Sequence, residues 1–387
     1  MHRAVLKRPC STVGSRVRSA RQHWLGGQYR LGSSIDAATG PSGGASSGPS
    51  AAAAAAASGG GRSKRRGSVA EARPSASVMV LSATNEVLVV QRVQSSTSFA
   101  SAHVFPGGNV DAFHDGEVGG PQSPGRHRDG PAYRMAAVRE CFEETGILLA
   151  KDGDGGLVGV AAAEREAARR RIHGGEVAFG QWLASVGGVA DTDNLIPFTR
   201  WITPAGAPKR FTTQMYLYQL PLSRTAAASE TLAPTADRGI EHTTALFAPA
   251  RTLLDGVATG VTTLFPPQYY LLHLLDAFLG GDEAGPLHRA SQRRKLLAWL
   301  RRTPTAGDGH ATAAIPWAEK VVCPVRLPVR RADGRVVLAL DGAGPELEGE
   351  RRGGDAERVV LVAFEGGRPR RLAVANRRDV LGRGRES

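Results

Sequence analysis

The run Arg139-Glu140-Cys141-Phe142-Glu143-Glu144-Thr145-Gly146-Ile147 constrains this chain more than any other stretch. It closes a helical apolar pattern that starts near Tyr133 and is read as running to about Ala150. At about 100° per residue, Glu140, Glu143 and Glu144 share one helix face within about 100° of arc. Like charges so placed repel, yet they stand beside apolar Val138 and Phe142. Two readings fit: a solvated acidic face, or a set of hard oxygen ligands for a divalent cation. Upstream, Phe105-Pro106-Gly107-Gly108 is a turn that offers unhindered backbone to whatever the helix binds.

Together the two halves resemble the signature of the Nudix hydrolases: Gly, five residues, Glu, seven residues, then Arg-Glu-apolar-x-Glu-Glu-x-Gly-apolar. Gly108 supplies the first glycine and Arg139 to Ile147 the whole second half, with Cys141 at the first apolar position. The chain departs from the pattern twice. Gly108 and Arg139 are 31 positions apart instead of fourteen, so 17 extra residues lie between them, an insertion placed at about 114–131. It precedes the helix and can loop out without disturbing the carboxylate face. The position six after Gly108 is His114 where the pattern has Glu, which leaves Asp115 or Asp111 to brace the motif arginine.

The resemblance implies an α/β fold, a Nudix-type α/β/α sandwich with a mixed β-sheet, over residues 76–303. It implies a hydrolase of pyrophosphate linkages that uses Mg²⁺ or Mn²⁺. Glu140 and Glu144 would bind metal directly, Glu143 would bind a further ion or a metal-bound water, and the Gly107 carbonyl would add a ligand. Arg139 would orient the glutamates through charge-assisted hydrogen bonds. Interrupted motifs of this kind look like one subgroup, the acyl-coenzyme A diphosphatase relatives of peroxisomes and mitochondria. Leu88-Val-Val-Gln-Arg92, Arg200-Trp-Ile-Thr-Pro204 with Lys209-Arg210-Phe211-Thr212-Thr213, and Leu264-Phe-Pro-Pro-Gln-Tyr-Tyr270 agree with it. The expected reaction cleaves coenzyme A or acyl-coenzyme A to adenosine 3′,5′-bisphosphate and (acyl) phosphopantetheine. The alternatives are an ADP-ribose or dinucleotide pyrophosphatase, and a catalytically silent Nudix module that binds nucleotide or protein.

Other positions carry two readings each. Glu241, next to His242, is a candidate general base or an ordinary loop acid. Arg92, Lys209 and Arg210 are candidates to meet substrate phosphates, or are solvated charges at strand ends. Trp201, Phe211 and Tyr218 would stack on adenine or fill the core.

Charge and composition assign the rest of the chain. Residues 1–73 hold twelve Lys and Arg against Asp36 and Glu71, a surplus of +10 out of the chain's +13. The basic balance therefore belongs to a tail, and no specific nucleic-acid partner is expected. Met1 to Leu31 carries seven basic residues and no acid, the composition of a mitochondrial transit peptide; a merely basic tail is the alternative. Residues 37–61 are nearly all Gly, Ser and Ala and read as a disordered linker, so residues 1–75 form one N-terminal region. The ending Arg385-Glu386-Ser387 is not of the Ser-Lys-Leu peroxisomal type, which favours mitochondrion over peroxisome, with cytosol kept open. Three widely spaced cysteines match no zinc or redox pattern, and no window of 18 uninterrupted apolar residues suggests a transmembrane segment. Ser77 to Leu81 and Glu86 to Val90 read as paired strands, and further helices are expected at 159–171, 177–186 and 268–303. Short Val and Leu runs after residue 320 suggest that 304–387 is an extension carrying a small β appendage.

Overall fold

Ser77 to Leu81 is apolar without alternation after its first residue, as expected of a strand buried on both faces, and the structure places it at the centre of the main sheet. A computed structural model describes residues 69–94, 101–121, 123, 125–207, 209–222, 233–237, 241–281, 285–307 and 309–382. The transit-peptide and linker segments lie outside the described residues. The chain divides into two units, residues 1–65 and residues 66–387, and all that follows concerns the second.

In chain order its elements are β1 (Ala72–Leu81), β2 (Val87–Arg92), β3 (His103–Val104), β4 (Gly107–Asn109), α1 (Ala112–Asp115), α2 (Pro131–Thr145), β5 (Ala150–Lys151), α3 (Ala162–His173), α4 (Phe179–Ser185), β6 (Val189–Ala190), β7 (Ile196–Ile202), β8 (Arg210–Gln219) and β9 (His242–Ala248). There follow α5 (Ala250–Thr259), α6 (Pro266–Leu279), α7 (Pro286–Arg301), β10 (Val321–Val322), β11 (Val325–Arg326), β12 (Val336–Leu340), β13 (Asp355–Glu365), β14 (Arg368–Asn376) and α8 (Arg377–Leu381). Among the described residues the main sheet has eight strands, ordered β10-β7-β8-β1-β2-β3, with β4 also on β1 and β9 also on β2. It is mixed: β1 runs parallel to β8 over its full length and antiparallel to β2 and β4.

Side chains alternate across β1. Ala76, Val78 and Val80 face Ala136, Ala137 and Phe142 of α2 and Phe179 and Trp182 of α4. Met79 and Leu81 face the opposite layer, where Leu253, Leu271, Leu275 and Leu296 of α5, α6 and α7 pack. The expected α/β/α sandwich is therefore present. The β1–β2 turn holds Asn85 at φ 65, a left-handed position asparagine tolerates. The Asn85 amide donates to Gln292 and its carbonyl accepts from Arg293 of α7, which ties that turn to the helical layer.

The β strands expected after residue 320 form and pack on the domain. β10 joins the main sheet beside β7, and β11 to β14 make a four-stranded antiparallel sheet. Val322, Leu340, Val360, Val362 and Leu372 enter the same apolar cluster as α6, and the Tyr270 hydroxyl donates to Asp355 at 2.7 Å. Among the described residues no helix is long and apolar enough to cross a membrane.

Candidate active site

Gly130 and Pro131 open α2, with proline at the first helical position where its missing N–H costs nothing. Gly146 at φ 71 closes the helix, its N–H donating to Phe142 O. That left-handed cap is why the helix ends at Thr145 and not near Ala150. The small side chains of Ala136 and Ala137 bring the helix close to β1, and Phe142 stacks on Trp182 with ring centroids 4.7 Å apart. Burying that stripe turns Glu140 and Glu144 toward Gly107 and Gly108 of β4. A Cβ on Gly107 would run into the Ala76 carbonyl and the Ser77 backbone, so glycine is required there for reasons of space, and one on Gly108 would displace the Glu140 carboxylate.

Arg139 is buried and its donors are committed. Nε and Nη2 donate to the two oxygens of Asp115 at 2.9 and 2.8 Å, and Nη2 also donates to Asn109 O at 2.9 Å. Nη1 lies 2.9 Å from both Glu140 and Glu143. Burial alone would lower the Arg139 pKa, but Glu140, Asp115 and Glu143 more than offset this and raise it. Asp115 thus takes the bracing place that the family pattern gives to a glutamate one position earlier. Asp111 instead caps α1, accepting from Phe113 N–H, and its own N–H donates to Asp115. His114 turns away and accepts from Phe179 N–H.

Glu144 lies deepest. Its Oε2 accepts from Gly107 N–H at 3.0 Å. On the β1–β4 ladder, Val78 N–H donates to Pro106 O and Val110 N–H to Pro74 O, so Gly107 occupies a non-hydrogen-bonded position and its peptide groups face away from β1, toward α2. Across from it, His242 Nε2 is 3.5 Å from Glu144 Oε1. Glu241, half-buried, sits 3.7 Å from Arg92. Ligand atoms of Glu144, Glu241 and His242 lie within 4.8 Å of one another. Asp237 underpins this corner, accepting from the backbone N–H groups of Glu241 and His242 at 2.9 and 3.1 Å. Burial would raise the Asp237 pKa, but the hydrogen bonds from the His242 ring and from those two N–H groups bring it down to about 2.

Crowded carboxylates resist ionisation. Burial, then the neighbouring charges of Glu143 and Asp115, push Glu140 up to about 7 against the opposing pull of Arg139. Burial and Glu140 hold Glu144 well above the ordinary carboxyl range, despite Gly107 N–H and Arg92. The three glutamates, Asp237 and Glu241 line one wall of an open cleft of about 550 Å³. Glu166, Arg169, Arg170 and His173 of α3 line the other. Arg169 Nε donates to Glu143 O at 2.8 Å, and His173 Nδ1 stands 3.4 Å from the Glu143 carboxylate.

The structure thus brings together Arg139, Glu140, Glu143, Glu144, Gly107, Glu241 and Arg92. It does not bring Arg210 to them. Arg210 is buried at the far end of β8, four residues before Gln214, the partner of Ala76, roughly 13 Å along the strand. Its guanidinium donates to Thr203 O, Pro204 O and Ala70 O and pairs with Glu346. The expected phosphate contact is therefore corrected to a structural clamp, and exposed Lys209 lies beside it at that same end. Trp201 and Tyr218 are core side chains, against Tyr270 and hydrogen-bonded to Asp191 respectively. Glu241 immediately precedes β9. Asp237, His242 and the cationic side of α3 carry no sequence signal of their own beyond charge, because only the tertiary fold sets them across from α2.

The NUDIX domain profile matches residues 71–215. Among curated proteins, the chicken (Gallus gallus) protein named acyl-coenzyme A diphosphatase NUDT19 is 30% identical over 275 residues, 58% of this chain and 70% of that protein. Putative nudix hydrolase 7 of Caenorhabditis elegans is 32% identical over 153 residues, 39% of this chain and 46% of that one. A solved NUDIX hydrolase from Alicyclobacillus acidocaldarius is 27% identical with a TM-score of 0.44, covering 54% of this chain and 93% of its own. Glutamate helix, glycine turn and the extent of the chicken match make this chain a member of the Nudix hydrolase family, allied to its acyl-coenzyme A diphosphatase subgroup, and a pyrophosphate-hydrolysing enzyme.

Proposed function

We propose that the enzyme cleaves the pyrophosphate of coenzyme A or an acyl-coenzyme A, with Mg²⁺ or Mn²⁺, giving adenosine 3′,5′-bisphosphate and (acyl) phosphopantetheine. The observation that carries the chemistry is the gathering of Glu140, Glu143 and Glu144 along one cleft, with Glu140 and Glu144 against the Gly107–Gly108 backbone of β4. The substrate rests on the similarity to the chicken protein.

A divalent cation fits this donor set. Arg139 and Arg92 do not offset the raised pKa values of Glu140 and Glu144, and carboxylate oxygens are the donors Mg²⁺ and Mn²⁺ take. Glu140 and Glu144 would hold the cation, with Glu143 and the Gly107 carbonyl beside them. When bound, it neutralises pyrophosphate oxygens and lowers the pKa of water. The protein's own groups do the rest. Arg139 keeps the glutamates in place through charge-assisted bonds. Arg170 and His173 on the facing wall meet phosphate charge. Glu241, at the cleft and steered by Arg92, accepts the proton of the attacking water as that oxygen joins one phosphorus and the bond to the bridging oxygen breaks. The products are two phosphate monoesters, so no redox partner is needed. The composition of Met1 to Leu31 supports a mitochondrial location.

The test is Mg²⁺-dependent turnover of a panel of coenzyme A, short and long acyl-coenzyme A, ADP-ribose and NADH, by wild type and Glu144→Gln. Preference for the coenzyme A compounds is expected, with a loss on the order of 10²–10³-fold in the variant, the size of several kcal/mol of charge stabilisation. Preference for ADP-ribose or NADH would reject the substrate while keeping the chemistry. No turnover of any compound would leave a binding module.

A further inference from the structure

A buried imidazole needs partners for both ring nitrogens, and His242 has one for only one of them. The residue is fully buried at the start of β9, opposite Arg92, where the β2–β9 register shifts. Its Nδ1 is 3.3 Å from Asp237 Oδ2. The Asp237 carboxylate already takes two backbone N–H groups, and a carboxylate accepts, so the hydrogen between it and the ring sits on Nδ1. Nε2 then faces Glu144. Among the described residues Nε2 has no hydrogen-bond partner. The nearest polar group is Glu144 Oε1 at 3.5 Å, itself a lone-pair donor, with Glu241 alongside. A divalent cation between the two would satisfy the ring nitrogen and the carboxylate together. Two donors on bonds of about 2.0–2.1 Å at a near-tetrahedral angle stand about 3.3 Å apart, close to the spacing found.

We propose that His242 Nε2 and Glu144, beside Glu241, form a nitrogen-containing metal position that takes a borderline divalent cation such as Zn²⁺ in preference to Mg²⁺. Imidazole suits Zn²⁺, whereas Mg²⁺ favours oxygen donors; Mn²⁺ also takes carboxylate oxygen and serves as the paramagnetic probe of the same position. The Asp237 carboxylate is the outer partner that metal-bound histidines ordinarily have on their other nitrogen, and it fixes which nitrogen faces the ion. This rests on the metal-dependent reading above but adds a residue outside the glutamate motif.

The experiment is pulsed electron paramagnetic resonance on the full chain loaded with Mn²⁺. A ¹⁴N coupling to the ion is expected, changing to the ¹⁵N pattern when histidine alone is ¹⁵N-labelled, lost in His242→Gln and retained in His173→Gln. In competition titrations His242→Gln should weaken Mn²⁺ binding about ten- to a hundredfold while Mg²⁺ binding moves far less. Bound Mn²⁺ with no nitrogen coupling, or a coupling that survives His242→Gln, overturns the imidazole ligand and leaves the glutamate reading intact. Failure to bind Mn²⁺ at all overturns both. If His242→Gln does not fold, the labelled wild type and His173→Gln decide between the imidazoles of His242 and His173.

Discussion

Arg139 and Asp115 are joined by a two-pronged pair in which the carboxylate is completely buried and the guanidinium almost so. A guanidinium left there without its partner is costly, so Asp115→Ala should lose about 3–5 kcal/mol of stability, with Arg139 and its glutamates displaced. His114→Ala should lose about 1 kcal/mol, one hydrogen bond from Phe179 N–H. Urea denaturation of the two variants checks this, and equal losses would contradict the assignment. The sequence left Asp115 and Asp111 open because the pattern position itself is histidine. One residue is about 100° on a helix, and α1, capped by Asp111, turns that step into the difference between facing Phe179 and facing Arg139.

For helix α2, the crowding of Glu140 and Glu144 becomes a dependence on pH. A carboxyl raised to about 7 in the fold, from an ordinary 4.5, binds a proton that the unfolded chain has already released. Without metal, stability should therefore fall as pH rises through that window. A divalent cation competes for the same oxygens, so the gap in Tm between Mg²⁺-loaded and metal-free protein should widen from about pH 5 to about pH 8. Thermal melts across that range test it, and a constant gap would contradict it. Several elements were legible from period and punctuation: α3, α4 and the start of α6 fall within a few residues of the apolar patterns that announce them. The cationic wall was not. Arg169, Arg170 and His173 read as the solvated side of a helix, and only the packing of α3 against α2 turns them toward Glu143. His242 was visible beside Glu241, but its burial depends on a strand pairing with β2 that no local pattern announces.

At the scale of the molecule, the boundary suggested near residue 303 divides the sequence and not the core. Trp317, Val322, Leu340, Val360, Val362 and Leu372 all enter the cluster built on α6. At roughly 1.5–3 kcal/mol for each buried side chain, they contribute on the order of 10 kcal/mol, comparable with the whole net stability of a domain. Truncation after Thr303 should give protein that binds a hydrophobic dye and aggregates; a monodisperse, active fragment would contradict this. The fold class was readable because one motif implies a whole architecture, whereas the C-terminal strands carry no motif and declare their place only through packing. The inserted loop is also divided. Arg126 and His127 are buried, reaching Gly119 O and Thr212, and Arg352 donates to His127 O, while the described residues between Gly116 and Gly125 are mostly exposed. The halves of the motif are held together across space by the Asp115–Arg139 pair and the β1–β4 ladder, so the covalent path between Gly116 and Gly125 is dispensable. A protease that nicked it would leave two fragments still assembled around one set of glutamates, and the same spot is where new chain termini would be tolerated.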